Sequence, residues 1–287
     1  MNITIATGSR ADWGLLEVVI RKLEEDDYFK GQVLKVWGAT FDKAFAAAAE
    51  CLEEERPDLL LVLGDRYEIL ATVTAAHLQR VPVAHIGGGD VTEGSYDDAM
   101  RDSITRMSSI HFVTSTQSEV RVQYLMGQKN VHLVGSPGVD FLMNGAWKAP
   151  RPYIDPYVVV SYQPETIDGT DEFESIIESL PKGKTPVFIM PNPDRGSEAI
   201  RERIRSFYLS SHLSAGVYES VPHAEFLNLI YHCDEFIGNS SSMLYEAPFI
   251  GVKTRMIGKR QKGRVIPFGD GKACERIVKV LREWKCS

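Results

Sequence analysis

Five consecutive apolar residues, Leu59 to Leu63, stand between Pro57-Asp58 and the polar turn Gly64-Asp65-Arg66. Such a run suits a central strand of a parallel sheet, buried on both faces. Parallel neighbours need long crossovers, usually helices, and the surrounding chain supplies them. Short β-rich runs at Ile3 to Thr7, Val33 to Trp37, Val81 to Ile86, His111 to Thr114 and Val131 to Val134 read as further strands. Helical spacing of apolar residues marks Trp13 to Leu23, Thr40 to Glu55 and Tyr67 to Gln79. A Pro-rich stretch, Ala149-Pro150-Arg151-Pro152 with Pro156, then marks a domain boundary. Beyond it the alternation restarts, with strands at Tyr157 to Ser161, Val187 to Met190 and Glu235 to Ile237 and helices near 171–180 and 198–207. The expected fold is α/β with two domains, residues 1–150 and 151–270, and a closing helix over 271–287.

The chain has 287 residues, enough for two domains with separate cores. Hydrophobic residues at 44% and charged residues at 25% are those of a water-soluble globular protein. No run approaches the roughly 18 apolar residues that a membrane span needs, and the first residues, MNITIATGSR, read as a buried strand rather than a signal peptide. The expectation is a cytoplasmic protein. Its four cysteines, at 51, 233, 274 and 286, lack CxxC spacing, so neither a structural zinc site nor a disulfide framework is expected. The histidines form no metal spacing either. A net charge of −7 argues against general nucleic-acid binding through phosphates.

Two stretches carry chemistry. Gly238 to Arg264 combines a sharp turn, three hydroxyls at Ser240, Ser241 and Ser242, an acid at Glu246, and a basic return loop with Arg260, Lys262 and Arg264. The serines cap a helix expected to begin near Met243, whose free backbone N–H groups would hold diphosphate oxygens. Glu246, one turn inside, would accept the two hydroxyls of a ribose. Taken singly, each piece reads rather as a plain helix cap or a solvated loop; in this order they read as a nucleotide-diphosphate site. The second stretch is acidic: Asp65 at the end of Leu59 to Leu63, then Asp90, Glu93, Asp97 and Asp98. From the residues alone, Asp65 is as readily a helix N-cap with Arg66 as its surface neighbour. The first turn, Gly8 to Asp12, is not a GxGxxG fingerprint and gives a nicotinamide cofactor little support.

These segments resemble the UDP-N-acetylglucosamine 2-epimerases, in particular the hydrolysing ones. GNSSSMLYEAPFIGVKTRMIGKRQKGR is similar to their C-terminal signature, TGSRADWGLL to their TGTRADYGLL, and GDR and HIGGGDVTEGSYDDAMR to their acidic motifs. The resemblance implies a GT-B arrangement of two Rossmann-like domains around a cleft, with the closing helix packed back on the first domain. It implies UDP-sugar contacts at Arg10, Arg66, Ser240, Ser241, Ser242, Glu246, Arg260 and Arg264, and at Asn192 in the family's PNxDxG position. It implies Asp65 and Asp97 as catalytic carboxylates, with Asp90 as an acidic loop residue of the catalytic set. No cofactor and no metal is implied, and relatives are commonly dimers.

Several positions depart from the family pattern. Gln163 stands where the family has the histidine of HPxT, and glutamine cannot shuttle a proton as histidine does. Gly87 replaces a common glutamate, Arg101-Asp102 replaces Arg-His, and Lys253 and Arg255 replace apolar or small residues. The loop after the second strand is shorter by some tens of residues. The expected activity is a hydrolysing UDP-N-acetylglucosamine 2-epimerase that eliminates UDP and hydrates the glycal to free N-acetylmannosamine or a related sugar, as in sialic-acid biosynthesis. The alternatives are a GT-B glycosyltransferase and a non-catalytic nucleotide-sugar-binding protein.

Overall fold

In the computed structural model the described residues are 1–92, 96–165, 169, 171–192, 196–210, 216–263 and 266–284, the side chains of residues 10 and 11 excepted. The chain divides into two compact units. The first comprises Met1–Val91, Asp97–Asn144 and Val265–Ser287, and the second Thr92–Tyr96 and Gly145–Arg264.

The first unit alternates strand and helix: β1 (Asn2–Thr7), α1 (Arg10–Glu24), β2 (Lys30–Lys35), α2 (Phe41–Glu55), β3 (Leu59–Leu63), α3 (Tyr67–Leu78), β4 (Val83–Ile86), α4 (Asp97–Met107), β5 (Ile110–Val113), α5 (Thr116–Met126), β6 (Val131–Leu133) and α6 (Pro137–Asn144). Its sheet has the order β2-β1-β3-β4-β5-β6, and every pairing is parallel. β3 is buried throughout because alternate side chains enter two cores. Leu59, Leu61 and Leu63 join Ile3, Ile5, Leu16 and Phe112 on one face. Leu60 and Val62 join Ala6, Leu52, Ile69 and Val73 on the other. Each fully buried leucine contributes about 2 kcal/mol, and truncating one to alanine costs about 2–5 kcal/mol.

The second unit holds β7 (Tyr157–Ser161), α7 (Phe173–Glu178), β8 (Thr185–Ile189), α8 (Ser197–Ser210), β9 (Gly216–Tyr218), α9 (His223–His232), β10 (Glu235–Gly238), α10 (Ser242–Tyr245), α11 (Ala247–Ile250) and β11 (Thr254–Met256). Its parallel sheet has the order β11-β10-β7-β8-β9. β10 lies so close to β7 at its end that a Cβ on Gly238, at φ 136°, would stand 1.9 Å from the Ser161 carbonyl oxygen. Only glycine fits there.

The last helix, α12 (Ala273–Glu283), belongs to the first unit. Asp140 on α6 caps it from afar, accepting hydrogen bonds from Ala273 N (3.0 Å) and Cys274 N (2.7 Å). Cys274, Ile277 and Leu281 then bury against the core of α1 and β1. Among the described residues, no helix is long and apolar enough to cross a membrane.

Candidate active site

Open parallel sheets bind ligands beyond the carboxyl ends of their strands, where successive connections leave in opposite directions. In the first sheet that point lies between β1 and β3, the first strand's connection running to β2 and the third's to β4. The turns there are Gly8 to Asp12 and Gly64 to Arg66. In the second sheet it lies between β7 and β10, where Tyr162 to Glu165 and Asn239 to Ser242 emerge.

At the first switch point Asp65 forms an ion pair with Arg101, which also pairs with Asp98 one turn back on α4. The Arg101 guanidinium donates a third bond, to the Asp90 carbonyl oxygen, at 2.6 Å. Burial alone would favour loss of the arginine proton, but Asp65, Asp90 and Asp98 hold it above its ordinary value. Arg66, expected to meet the nucleotide, reaches the fully buried Glu68 with two nitrogens at 3.2 Å. The turn is braced from below by His85, whose Nε2–H donates to the Gly64 carbonyl at 2.8 Å while Nδ1 lies 3.1 Å from Thr105 Oγ1. Burial pushes this imidazole down to about 4, so it is a neutral brace.

Asp90 follows a glycine loop with narrow tolerances. A Cβ on Gly88 would come within 2.9 Å of Thr105 Oγ1, and one on Gly89, at φ +80°, within 2.5 Å of the Ser118 carbonyl. The loop therefore presses onto α4 and α5. There Asp90 Oδ1 accepts hydrogen bonds from Thr114 Oγ1 (2.8 Å) and Ser118 Oγ (2.6 Å). Asp97 opens α4 and is half-buried. Arg10 opens α1, its side chain lying outside the described residues.

Asp12, not singled out in the sequence, stands in the same crevice. The Ser9 hydroxyl accepts its backbone N–H at 3.1 Å, fixing the first turn of α1. Its Oδ2 is buried without a hydrogen-bond partner. Burial pushes the carboxyl up to about 7 against the pull of Arg66, with Asp65 and Glu68 adding to the rise. The signal for it is position alone: it shares the strand-to-helix turn that carries Arg10.

At the second switch point Asn239 is wholly buried and joins the two strand ends. Its Oδ1 accepts from Gln163 N (2.6 Å) and its Nδ2–H donates to the Gln163 carbonyl (2.8 Å). Gln163 Oε1 in turn accepts from Asn192 N at 2.9 Å, so two expected site residues meet directly. The return loop is tied to the same strand end: Arg260 donates to the Pro164 carbonyl (2.6 Å), Lys259 N to Glu165 Oε1 (2.6 Å), and Gln261 Nε2 to the Asn239 carbonyl (2.7 Å). Gly258, at φ +80°, is required because a Cβ would sit 1.9 Å from Glu165 Oε1. Arg264 lies outside the described residues.

The serine segment corrects one expectation. The helix after it is four residues long, ends at Tyr245, and resumes as another four-residue helix from Ala247. Glu246 is the joint between them rather than a position inside one helix. A single short turn has little macrodipole, so Ser240, Ser241 and Ser242 offer hydroxyls and local N–H groups instead. Ser240 Oγ already accepts from Ser242 N at 3.3 Å. Glu246 is buried, with Oε1 3.4 Å from His223 Nε2 and Oε2 without a hydrogen-bond partner. The departures at Lys253 and Arg255 have a local reason, since both pair with Glu235 at the start of β10, at 3.0 and 3.1 Å.

Two parallel α/β sheets, each gathering polar side chains at its switch point, define a GT-B-like protein. The chain belongs to the UDP-N-acetylglucosamine 2-epimerase family, whose family model matches residues 2–266. It is 26% identical over 313 residues to the GDP/UDP-N,N'-diacetylbacillosamine 2-epimerase (hydrolyzing) of Campylobacter jejuni, covering 92% of this chain and 82% of that protein. It is 29% identical over 316 residues to polysialic acid biosynthesis protein P7 of Escherichia coli, covering 92% and 80%. Among solved structures, the UDP-GlcNAc 2-epimerase of Methanocaldococcus jannaschii, in complex with UDP-GlcNAc and UDP, shares the fold with a TM-score of 0.81 at 18% identity, covering 99% of this chain and 100% of that chain.

Proposed function

We propose that the protein is a hydrolysing UDP-N-acetylglucosamine 2-epimerase, which eliminates UDP from the nucleotide-sugar and hydrates the glycal to free N-acetylmannosamine or a closely related sugar. The observation that carries the reading is the sorting of chemistry between the two switch points. Carboxylates collect at the end of β3 and in the loop leading to α4. Hydroxyls, a buried acid with an unused oxygen and an arginine collect at the ends of β7 and β10.

In this reading the second unit binds UDP. Glu246 Oε2 accepts the ribose hydroxyls, which supplies the partner that this oxygen otherwise lacks. Ser240 to Ser242, Arg260 and Arg264 hold the diphosphate, and Asn192 and Gln163 line the same ligand. In the first unit Asp65 takes the proton from C2 while the C1–O bond breaks and its electrons pass to the diphosphate. Arg10 and Arg66 face the charge that leaves. Water then adds its hydroxyl at C1 and gives its remaining proton to solvent, as Asp97 delivers a proton to C2 from the other face. Two carboxyl groups in different surroundings suit an acceptor and a donor. Asp90, with its carboxylate engaged by Thr114 and Ser118, holds the loop in place.

The test is proton NMR of the protein with UDP-N-acetylglucosamine in deuterated water, on wild type and Asp65→Asn. The expected wild-type result is UDP and free N-acetylmannosamine carrying deuterium at C2; the variant binds UDP and turns nothing over. Accumulation of UDP-N-acetylmannosamine without free sugar would make the enzyme non-hydrolysing. UDP binding with no deuterium uptake would leave a glycosyltransferase or a binding protein.

A further inference from the structure

Arg101 is 1% exposed, and its guanidinium joins three parts of the first unit: Asp65 after β3, Asp98 on α4, and the Asp90 carbonyl in the loop after β4. Taking a guanidinium out of water costs several kcal/mol, and apolar side chains often replace such buried ion pairs without loss of stability. Stability is therefore a poor reason for this arrangement. Geometry is a better one, because a planar fork of donors can fix a carboxylate in one orientation.

We propose that Arg101 is a positioning residue of the reaction, fixing the Asp65 carboxylate at the end of β3 as the proton acceptor. The inference rests on the epimerase reading above and deepens it. Among the described residues, other charged or titratable groups near Asp65 have duties of their own. His85 braces Gly64 from β4 as a neutral ring. Arg66 is matched by Glu68. Asp12, on α1, keeps its proton up to about 7. The Asp90 carboxylate is turned to Thr114 and Ser118. Arg101 is ion-paired with Asp65, and Asp98 shares that guanidinium. Asp98 thus works against Arg101: its negative charge weakens the hold of the guanidinium on Asp65.

The two residues make opposite predictions for one measurement, the acid limb of the kcat/KM profile, which reports ionisation of the acceptor in the free enzyme. Arg101→Lys loses the fork and moves the limb to higher pH by about one unit, a roughly tenfold loss of rate below the limb that closes toward pH 9. Asp98→Asn moves the limb to lower pH. UDP affinity, read by calorimetry, stays at the wild-type value in both, and a single cooperative unfolding transition like that of wild type reports that the first unit folds. A limb unmoved in both variants, or a loss equal at every pH in Arg101→Lys, overturns the proposal. If Arg101→Lys does not fold, the direction of the Asp98→Asn shift decides alone. The Asp65→Asn control separates the two readings: wild-type turnover there sinks the epimerase assignment of Asp65, whereas an inactive Asp65→Asn with unmoved limbs sinks only the role of Arg101.

Discussion

Asn239 and Gln163 are 76 residues apart in the chain and meet as two strand residues do, one donating and one accepting bond apiece, at 2.8 and 2.6 Å, except that Asn239 uses its side chain. The carboxamide thereby extends the β7–β10 pairing one step past the strands, to where Ser240 and Gln163 leave the sheet. The backbone that presents the serines is fixed before any ligand arrives.

Asn239→Ala removes both bonds and leaves the half-buried Gln163 amide and carbonyl without these partners. An unpaired buried polar group costs about 1–3 kcal/mol. The expected outcome is a loss of about 1–3 kcal/mol in urea unfolding together with weaker UDP binding. A midpoint within 0.5 kcal/mol of wild type, roughly the spread of ordinary surface substitutions, would show that the strand ends hold without it.

Asp12 gives stability a pH dependence. Burial raises its folded carboxyl from 3.8 to about 7, so between these values the folded state holds a proton that the unfolded state has released. Its contribution is therefore intact below about pH 4 and is lost as pH rises through about 7. Asp12→Asn, which cannot ionise, is expected to exceed wild type by about 2–4 kcal/mol at pH 8, and the gap should close toward pH 4. Chemical denaturation at the two pH values measures it. A gap of the same size at both would mean that ionisation of Asp12 is not its source.

The sequence exposes most of the frame and only part of the site, for reasons visible in particular residues. β3 and β7 match their expected bounds because each is an apolar run between breakers. β9 and β11 escape notice because neither Gly216-Val217-Tyr218 nor Thr254-Arg255-Met256 has an apolar run to mark it, whereas the equally short edge strand β6 lies in Val131 to Val134. The serine segment is legible as chemistry but not as shape, since nothing in SSSMLYEAP shows that the helix breaks at Glu246. Ion pairing between Arg101 and Asp65 spans 36 residues and crosses from α4 to the end of β3, a juxtaposition created by sheet order. The same holds for Asp12, whose rise comes first from burial and is opposed by Arg66 and increased by Asp65 and Glu68, all brought beside it by the β1–β3 pairing.

Glu246 Oε2 is a buried acceptor without a partner, and a bound ribose supplies donors. UDP is expected to raise the melting temperature in proportion to its occupancy, and Glu246→Ala to weaken binding about tenfold or more, since bonds to a charged group are worth about 1.5–3 kcal/mol. Ser241→Ala should show a smaller loss of the same sign. A melting temperature that does not respond to saturating UDP in wild type would remove the nucleotide from this site.

By the family resemblance Gln163 stands where those enzymes have histidine, and its side chain already has a duty, accepting the Asn192 N–H at 2.9 Å. Histidine can replace that acceptor with one ring nitrogen and, when protonated, offers a cation that glutamine never carries. The two roles exclude one another on the same nitrogen, so Gln163→His should lose about 1 kcal/mol of stability as the imidazole charges, the size of a single hydrogen bond. Under the epimerase reading the same charge lies beside the departing diphosphate, and UDP release should become faster than wild type below about pH 6.5, where an ordinary imidazole is protonated. Above that pH the two proteins should converge. The measurement is UDP release and deuterium uptake at C2 across pH 5.5 to 8.5, a window of about one to two units around the imidazole value. A rate that is unchanged or lower at every pH would show that Gln163 serves only to hold Asn192, and that the diphosphate leaves without help from this position.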